Sequence, residues 1–395
     1  MIPSIPPIQN PERYSEFNLP REKVEAALNE AFKKVDLGIE HHGFKFPNEY
    51  SKNNVYATIE NTSGWGNGFW SGILWHAYQL TGDEKYKNVV IGQIPSYTKR
   101  ITEKIGVNHH DMGFLFSLSC VAAWKLCGNE EAKAAALMAA EHLTTRYRTP
   151  GDFIQAWGNV NDPKDNRLII DCLLNIPLLY WASEVTGDQK YDEMAWKHFN
   201  TTISVCCRPD ASTYHTYYFD AETGAPVKGV THQGAFDESA WARGQAWGIY
   251  GPMLTRTYKE SDGAMQVFKA TSSYFLNHLP EDYVPFWDLC FTDGADEPRD
   301  TSSAAIACCG MLEALKHMDK ADPLYSIFTN AVNRIMNSLI DNYTSKDVPE
   351  ANGLLLHQTY AKPQGIGIDE MNIWGDYFYM EALHRLVDPD WKLYW

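Results

Sequence analysis

Several features are missing from this 395-residue chain, and each absence excludes a class of protein. No apolar run reaches the roughly 20 residues a helix needs to cross a hydrocarbon core, so no membrane is expected as a partner. Cationic residues are in deficit, 34 Lys and Arg against 50 Asp and Glu, for a formal charge of −16. That excludes nucleic acid and anionic lipid, which need a basic face to displace counterions. An acidic substrate would have to be held by local Arg or His. The cysteines, at 120, 127, 172, 206, 207, 290, 308 and 309, form no Cys-x-x-Cys of metal-ligand spacing. They fall mostly in apolar helical stretches and read as small buried hydrophobes in a reducing, cytoplasmic compartment. No Gly-rich phosphate loop is present, and no cofactor is expected. No linker divides the chain, and Met1-Ile2-Pro3-Ser4-Ile5-Pro6-Pro7 lacks the basic flank and apolar core of a secretory signal. One domain over 1–395 is expected, with an irregular segment over 1–20.

What is present is helix. Apolar periodicity predicts about twelve helical segments and almost no convincing strands, over 21–42, 67–82, 83–101, 111–127, 129–147, 166–186, 188–207, 239–259, 263–279, 301–318, 322–343 and 372–387. Junctions repeat: Leu80-Thr81-Gly82-Asp83-Glu84-Lys85-Tyr86 matches Val185-Thr186-Gly187-Asp188-Gln189-Lys190-Tyr191, and Leu126-Cys127-Gly128-Asn129-Glu130-Glu131 is a looser copy. In each, Gly supplies a left-handed helix end and Asp or Asn caps the next helix. The result is a series of helical hairpins. Segments such as 67–82, 111–127 and 166–186 are apolar nearly all round, whereas 83–101, 129–147 and 322–343 carry polar faces. Six buried helices alternating with six amphipathic ones predict an all-α, (α/α)6 barrel. An open solenoid would need a fixed short period, which the unequal insertions lack.

Polar groups and tryptophans gather where the inner helices begin, as in Asn67-Gly68-Phe69-Trp70, His109-His110-Asp111 and Arg299-Asp300-Thr301. Tryptophan among carboxylates suits a sugar, whose C–H face stacks on the ring while acids bond its hydroxyls; more than half of the 13 Trp are nonetheless expected to be core. Two aspartates stand out, Asp111 and Asp171, sixty residues apart. A carboxylate in an apolar stripe is costly unless it is paired or working, and two facing one cavity would drive their pKa values apart. For a lone Asp at a turn, capping a helix is the more common role, and it is the competing reading of Asp111. Asp171, inside Leu168-Ile169-Ile170-Asp171-Cys172-Leu173-Leu174, has no helix end to cap. His109 and His110 are neighbours and point apart on a helix, a poor metal pair, so no metal is assigned. Ser302-Ser303 reads as capping.

His109-His110-Asp111-Met112-Gly113-Phe114, Phe153-Ile154-Gln155-Ala156-Trp157-Gly158, Ile169-Ile170-Asp171-Cys172-Leu173-Leu174-Asn175, Trp241-Ala242-Arg243-Gly244-Gln245-Ala246-Trp247-Gly248 and Trp374-Gly375-Asp376-Tyr377-Phe378, in that order, resemble the unsaturated glucuronyl hydrolases of glycoside hydrolase family 88. The resemblance covers essentially the whole chain. It implies an (α/α)6 barrel that removes a terminal 4,5-unsaturated glucuronic acid from glycosaminoglycan disaccharides and oligosaccharides made by polysaccharide lyases, through hydration of the C4=C5 enol ether. It also implies Asp171 as general acid/base, Asp111 as its partner, and Phe69, Trp157, His215, Gln233, Arg243 and Trp247 as sugar-binding positions. Arg243 is the expected clamp for the uronate carboxylate, since a guanidinium binds one bidentately; pairing with Asp237 or Glu238 is its competing reading. Relatives favouring sulfated fragments carry Ser-x-x-Ser-x-Lys near the carboxy-terminal site loop. Here that stretch is Ala361-Lys362-Pro363-Gln364-Gly365-Ile366, with Lys362 as the one candidate for a sulfate. The alternatives are an unsaturated rhamnogalacturonyl hydrolase acting on pectin fragments, a sugar 2-epimerase using His215 and His232, and a non-catalytic sugar-binding protein. Monomer and homodimer both remain open.

Overall fold

The computed structural model describes residues 2–395. Six helical segments are buried along most of their length: Asn67–Thr81, the interrupted run Met112–Phe116, Ser117–Val121 and Ala122–Cys127, then Pro177–Thr186, Ala242–Tyr258, Thr301–Leu315 and Ile373–Val387. Each packs on the next, and Ile373–Val387 returns to Asn67–Thr81, so the ring closes. Outside it lie Arg21–His42, Glu84–Thr102, Glu130–Thr144, Gln189–Cys206, Asp262–Asn277 and Pro323–Asn342. Each outer helix buries one stripe; Glu130–Thr144 does so with Ala132, Ala135, Ala136, Ala139, Ala140 and Leu143, the three-and-four spacing of one helix face. This is the all-α (α/α)6 barrel that the alternation predicts.

The repeated junctions work as expected. Gly82, Gly128 and Gly187 end their helices with φ of 71, 68 and 76°, and Asp83, Asn129 and Asp188 cap the next helices through Lys85 N, Ala132 N and Lys190 N. Tyr14, within a 3-10 turn, fastens the amino-terminal segment by donating to Leu276 O at 2.7 Å.

Two helix expectations need correction, and both concern the site. Over 166–186 the chain forms a strand, Arg167–Ile169, then a 3-10 turn, Ile170–Leu174, and becomes α-helix only at Pro177–Thr186. The β-branched Ile169 suits the strand, which pairs antiparallel with Thr216–Phe219. Pro177, with no N–H to give, sits in the first turn of the helix. Asp171 therefore lies on a tight turn at a sheet edge. The second is 111–127, where Ser117–Val121 widens into a π turn; Ser119 Oγ donates back to Leu115 O at 2.5 Å, competing with the helix ladder. Strands are also commoner than expected: among the described residues, nine short ones form four small sheets within the loops. Those at Arg167–Ile169 and Gln358–Ala361 stand beside the amino-terminal ends of the inner helices. At the opposite end the buried Trp395 ring stacks on Phe378, 6.1 Å between centroids, and fills the barrel.

Candidate active site

Backbone and glycine chemistry bring Asp111 and Asp171 together. Asn175, one turn beyond Asp171, donates from Nδ2 to Asp171 O at 3.2 Å and accepts Phe114 N–H on Oδ1 at 2.9 Å, joining the two aspartate segments. Gly113 permits this approach: a Cβ there would lie 2.4 Å from Asn175 Cα. The Gln155-Ala156-Trp157 motif joins from a third side through His110 N–H to Ala156 O at 2.7 Å. Asp111 occupies the cap position of Met112–Phe116, yet its carboxylate makes no capping bond. It turns to the two histidines instead.

His110 is the centre of the arrangement. Its Nε2 stands 3.3 Å from Asp111 Oδ1 and 3.2 Å from Asp171 Oδ1, while His109 Nδ1 lies 3.0 Å from Asp111 Oδ2. The divergence expected of neighbouring histidines on a helix does not apply, because the helix begins only at Met112 and both rings reach one carboxylate. His110 Nδ1, the ring nitrogen facing away from the carboxylates, is buried with no hydrogen-bond partner. Burial alone would raise both carboxyls. At Asp111 the charge of His110 and the bond to His109 outweigh it and hold the pKa below the usual range. At Asp171 burial wins over His110, and the Asp111 charge raises the pKa further. His110 itself is raised, because Asp111 and Asp171 outweigh its own burial. One carboxyl is thereby kept ionised and its neighbour kept able to give a proton. Among the described residues, His110, Asp111 and Asp171 are also the one trio whose ligand atoms lie within 4.8 Å of one another. The imidazole already sits against both carboxylates, so a cation would have to displace its proton.

The trio opens on a cavity of about 700 Å³. Trp157, His215 and Gln233, all expected sugar contacts, line it. The Arg167 guanidinium lies 4.2 Å from the Trp157 ring centre. His215 Nδ1 accepts the His232 amide at 3.0 Å, and Gln233 Nε2 donates to Tyr360 O at 2.9 Å. Phe69, Trp247 and Arg243 stand behind the wall. Phe69 and Trp247 are buried against Phe114, at 5.1 and 5.6 Å between ring centres. Arg243 is 1% exposed; it pairs with Asp300 at 2.9 Å, donates to Thr359 O and Tyr360 O, and lies between Trp241 and Trp374. The structure thus replaces the expected uronate clamp, and the alternative partners Asp237 and Glu238, with Asp300 as the partner of Arg243. Lys362 is likewise committed, paired with Glu297 and placed over Trp287.

Other lining residues were given no site role by the sequence: Glu49, Trp65, Asn108 and Tyr360, and also His109 and His110, which were weighed only as a metal pair. Glu49 accepts Trp65 N–H at 2.6 Å, and burial raises its pKa despite that bond. Trp65 donates from Nε1 to Tyr360 Oη at 2.9 Å and stacks on Trp374 at 4.9 Å. Glu49 comes from a short loop with no periodicity, so nothing in the sequence marks it. His110 had a signal, its place beside Asp111, that the divergence argument set aside.

The family model described as Glycosyl Hydrolase Family 88 matches residues 39–386. The chain is 47% identical over 393 residues to the unsaturated chondroitin disaccharide hydrolase of Streptococcus pyogenes serotype M1, covering 99% of this chain and 98% of that protein. The crystal structure of unsaturated glucuronyl hydrolase from Streptococcus agalactiae superposes with a TM-score of 0.97 at 45% identity, over 100% of this chain and 99% of that one. A variant of that enzyme complexed with dGlcA-GalNAc6S gives 0.90 at 42% identity, with the same coverage. With a family match across the barrel and relatives aligned along their full length, the chain belongs to glycosyl hydrolase family 88.

Proposed function

We propose that this protein is an unsaturated glucuronyl hydrolase that removes the terminal 4,5-unsaturated uronic acid from glycosaminoglycan disaccharides of the chondroitin type. The observation that carries the reading is the His110-bridged aspartate pair at the cavity wall, with Asp111 biased toward the ionised form and Asp171 toward the protonated one.

Asp171 gives its proton to C4 of the enol ether, and the π electrons form the new C4–H bond. C5 becomes an oxocarbenium centre shared with the ring oxygen. Water adds at C5 and loses its proton to the Asp171 carboxylate, restoring the acid. The resulting hemiketal opens to a C5 ketone and a C1 hemiacetal, which expels the remaining sugar as an alcohol. Asp111 supports Asp171 by charge and offers an acceptor to a ring hydroxyl. Trp157 takes the sugar face, and Gln233 with His215 holds polar groups of the uronate.

Spacing argues against inverting attack at C1, which needs carboxyls about 6.5–9.5 Å apart with a water between them; here one oxygen of Asp111 and one of Asp171 lie within 4.8 Å of each other. The chondroitin and glucuronyl relatives, matched over whole chains, favour this substrate over pectin fragments. An epimerase needs two free imidazole bases, whereas His215 Nδ1 is engaged by the His232 amide. The test is addition of unsaturated chondroitin disaccharide: the ultraviolet absorbance of the conjugated enol ether should disappear. Binding with no loss of that absorbance would sink the reading.

A further inference from the structure

Five arginines are buried among the described residues: Arg100, Arg146, Arg167, Arg243 and Arg385. Arg167 pairs with Asp165, Arg243 with Asp300, and Arg385 with Glu313 and Glu381. Arg100 and Arg146, 0% and 1% exposed, have no carboxylate within ion-pair distance. Burial is the main influence on both and pulls each down to about 10, which still leaves them charged at neutral pH. An unpaired buried charge is costly, so its retention needs a reason. The partner of each Nη1 is an asparagine: Arg100 donates to Asn61 Oδ1 at 2.8 Å and Arg146 to Asn108 Oδ1 at 2.5 Å. Asparagine has the shape of aspartate without its charge. A carboxylate would fit both places and neutralise both guanidiniums, yet neither place has one.

The remaining donors reach the loops around the cavity. Arg100, in the last turn of Glu84–Thr102, donates to Gly64 O at 2.5 Å, next to Trp65, and to Gly106 O at 2.9 Å. Gly106 O also faces His109 Nε2 at 2.9 Å. Arg146, just past Glu130–Thr144, donates to Gln155 O at 2.8 Å and Gly158 O at 3.1 Å, on either side of Trp157. Both thus grip the 106–111 loop from behind and tie it to the loops of Trp65 and Trp157. Asp111 faces His109, His110, Asp171 and Glu49, the neutral Cys172 and Tyr360, and these two guanidiniums. Only the guanidiniums carry a positive charge that the working pH does not alter. Resting on the function proposed above, we infer that Arg100 and Arg146 are positioning residues for the aspartate pair. They fix the 106–111 loop between the two tryptophan loops and, left unneutralised by Asn61 and Asn108, direct their charge at the Asp111 carboxylate.

The experiment turns each neutral acceptor into a carboxylate. Asn61→Asp and Asn108→Asp keep the shape and give each guanidinium the partner it lacks, so both proteins should melt at or above the wild-type temperature. With the guanidinium neutralised, Asp111 is harder to ionise, and the acidic limb of the pH–rate profile should move to higher pH by on the order of half a unit. Asn61→Asp is the cleaner arm, since Asn61 does not line the cavity. Arg146→Lys keeps the charge and loses the fork; it should leave the limb in place and lower kcat by about 10-fold or more, as the loops loosen. Carboxyl ¹³C NMR of Asp111 without substrate reads the same titration, so a wild type that turns over no disaccharide sinks the hydrolase reading while the spectrum still decides this inference. A fall in melting temperature in either Asn→Asp protein, an acidic limb and resonance that stay put, or an unchanged kcat in Arg146→Lys would overturn it.

Discussion

Replacing Asp171 by Asn removes the proton and keeps the shape, which makes it the sharpest perturbation of the site. In the wild type, burial raises the pKa of this carboxyl against the pull of His110, and the Asp111 charge raises it further. Its one charged neighbour at Oδ1 is His110 Nε2 at 3.2 Å, and an amide oxygen in its place can still face that ring. The fold should persist, with a melting temperature equal to or above that of the wild type, since a functional carboxyl held in this setting is costly to stability. Activity should not persist. A positioned general acid contributes about 10²–10⁴-fold, or roughly 3–5.5 kcal/mol of barrier. The loss should sit in kcat, because Trp157, His215 and Gln233, which line the cavity, are left in place to hold the sugar. Circular dichroism and urea unfolding establish the fold, and decay of enol-ether absorbance under saturating disaccharide gives kcat. A folded Asp171→Asn protein that retained a tenth of the wild-type rate would refute the assignment.

Four further outcomes follow from the same geometry. Asp111→Asn removes a charge that raises the Asp171 pKa, so the alkaline limb of the pH–rate profile, where Asp171 gives up its proton, should move to lower pH; a limb that stays put would mean Asp111 acts by contact alone. In the wild type, activity should also fall at low pH as Asp111 becomes protonated, and its lowered pKa places that limb below the ordinary carboxylate range. Gly113→Ala pushes a methyl against Asn175 Cα, 2.4 Å away, and a shift of about 1 Å between the aspartates should cost on the order of 10²-fold in kcat; an unchanged rate would show the spacing to be slack. Arg243→Met strands the buried Asp300 and should cost about 3–5 kcal/mol of unfolding free energy, whereas a pure KM effect at full stability would restore Arg243 as a substrate clamp.

The barrel was legible because its signals are local. Gly82-Asp83 and Gly187-Asp188 specify a left-handed helix end and a cap within a few residues, and the contrast between all-apolar and one-sided helices separates inner ring from outer. What escaped depends on partners far away in sequence. Arg167–Ile169 is an apolar run that either helix or strand accepts, and its pairing with Thr216–Phe219, roughly fifty residues on, decides for strand. Arg243 meets Asp300 across 57 residues, whereas the acids close to it in sequence, Asp237 and Glu238, are the ones a local reading offers. His110 was passed over because side-chain divergence on an ideal helix was assumed, yet the chain before Met112 is a turn in which both rings reach Asp111. Asp111 and Asp171 themselves were readable, since a carboxyl among apolar residues is conspicuous wherever the chain then takes it.

The central claim is that Asp171 protonates carbon, and the isotope placed on that carbon tests it most directly. Turnover of unsaturated chondroitin disaccharide in D₂O, quenched rapidly, should leave deuterium bonded to C4 of the released keto-sugar, and H₂¹⁸O should place its label first at C5. The carboxylate spacing also suits a double-displacement glycosidase, which would protonate the glycosidic oxygen and leave the ring double bond intact in its first product. No carbon-bound deuterium, with ¹⁸O at C1 alone, would contradict the hydration mechanism even in a fully active enzyme.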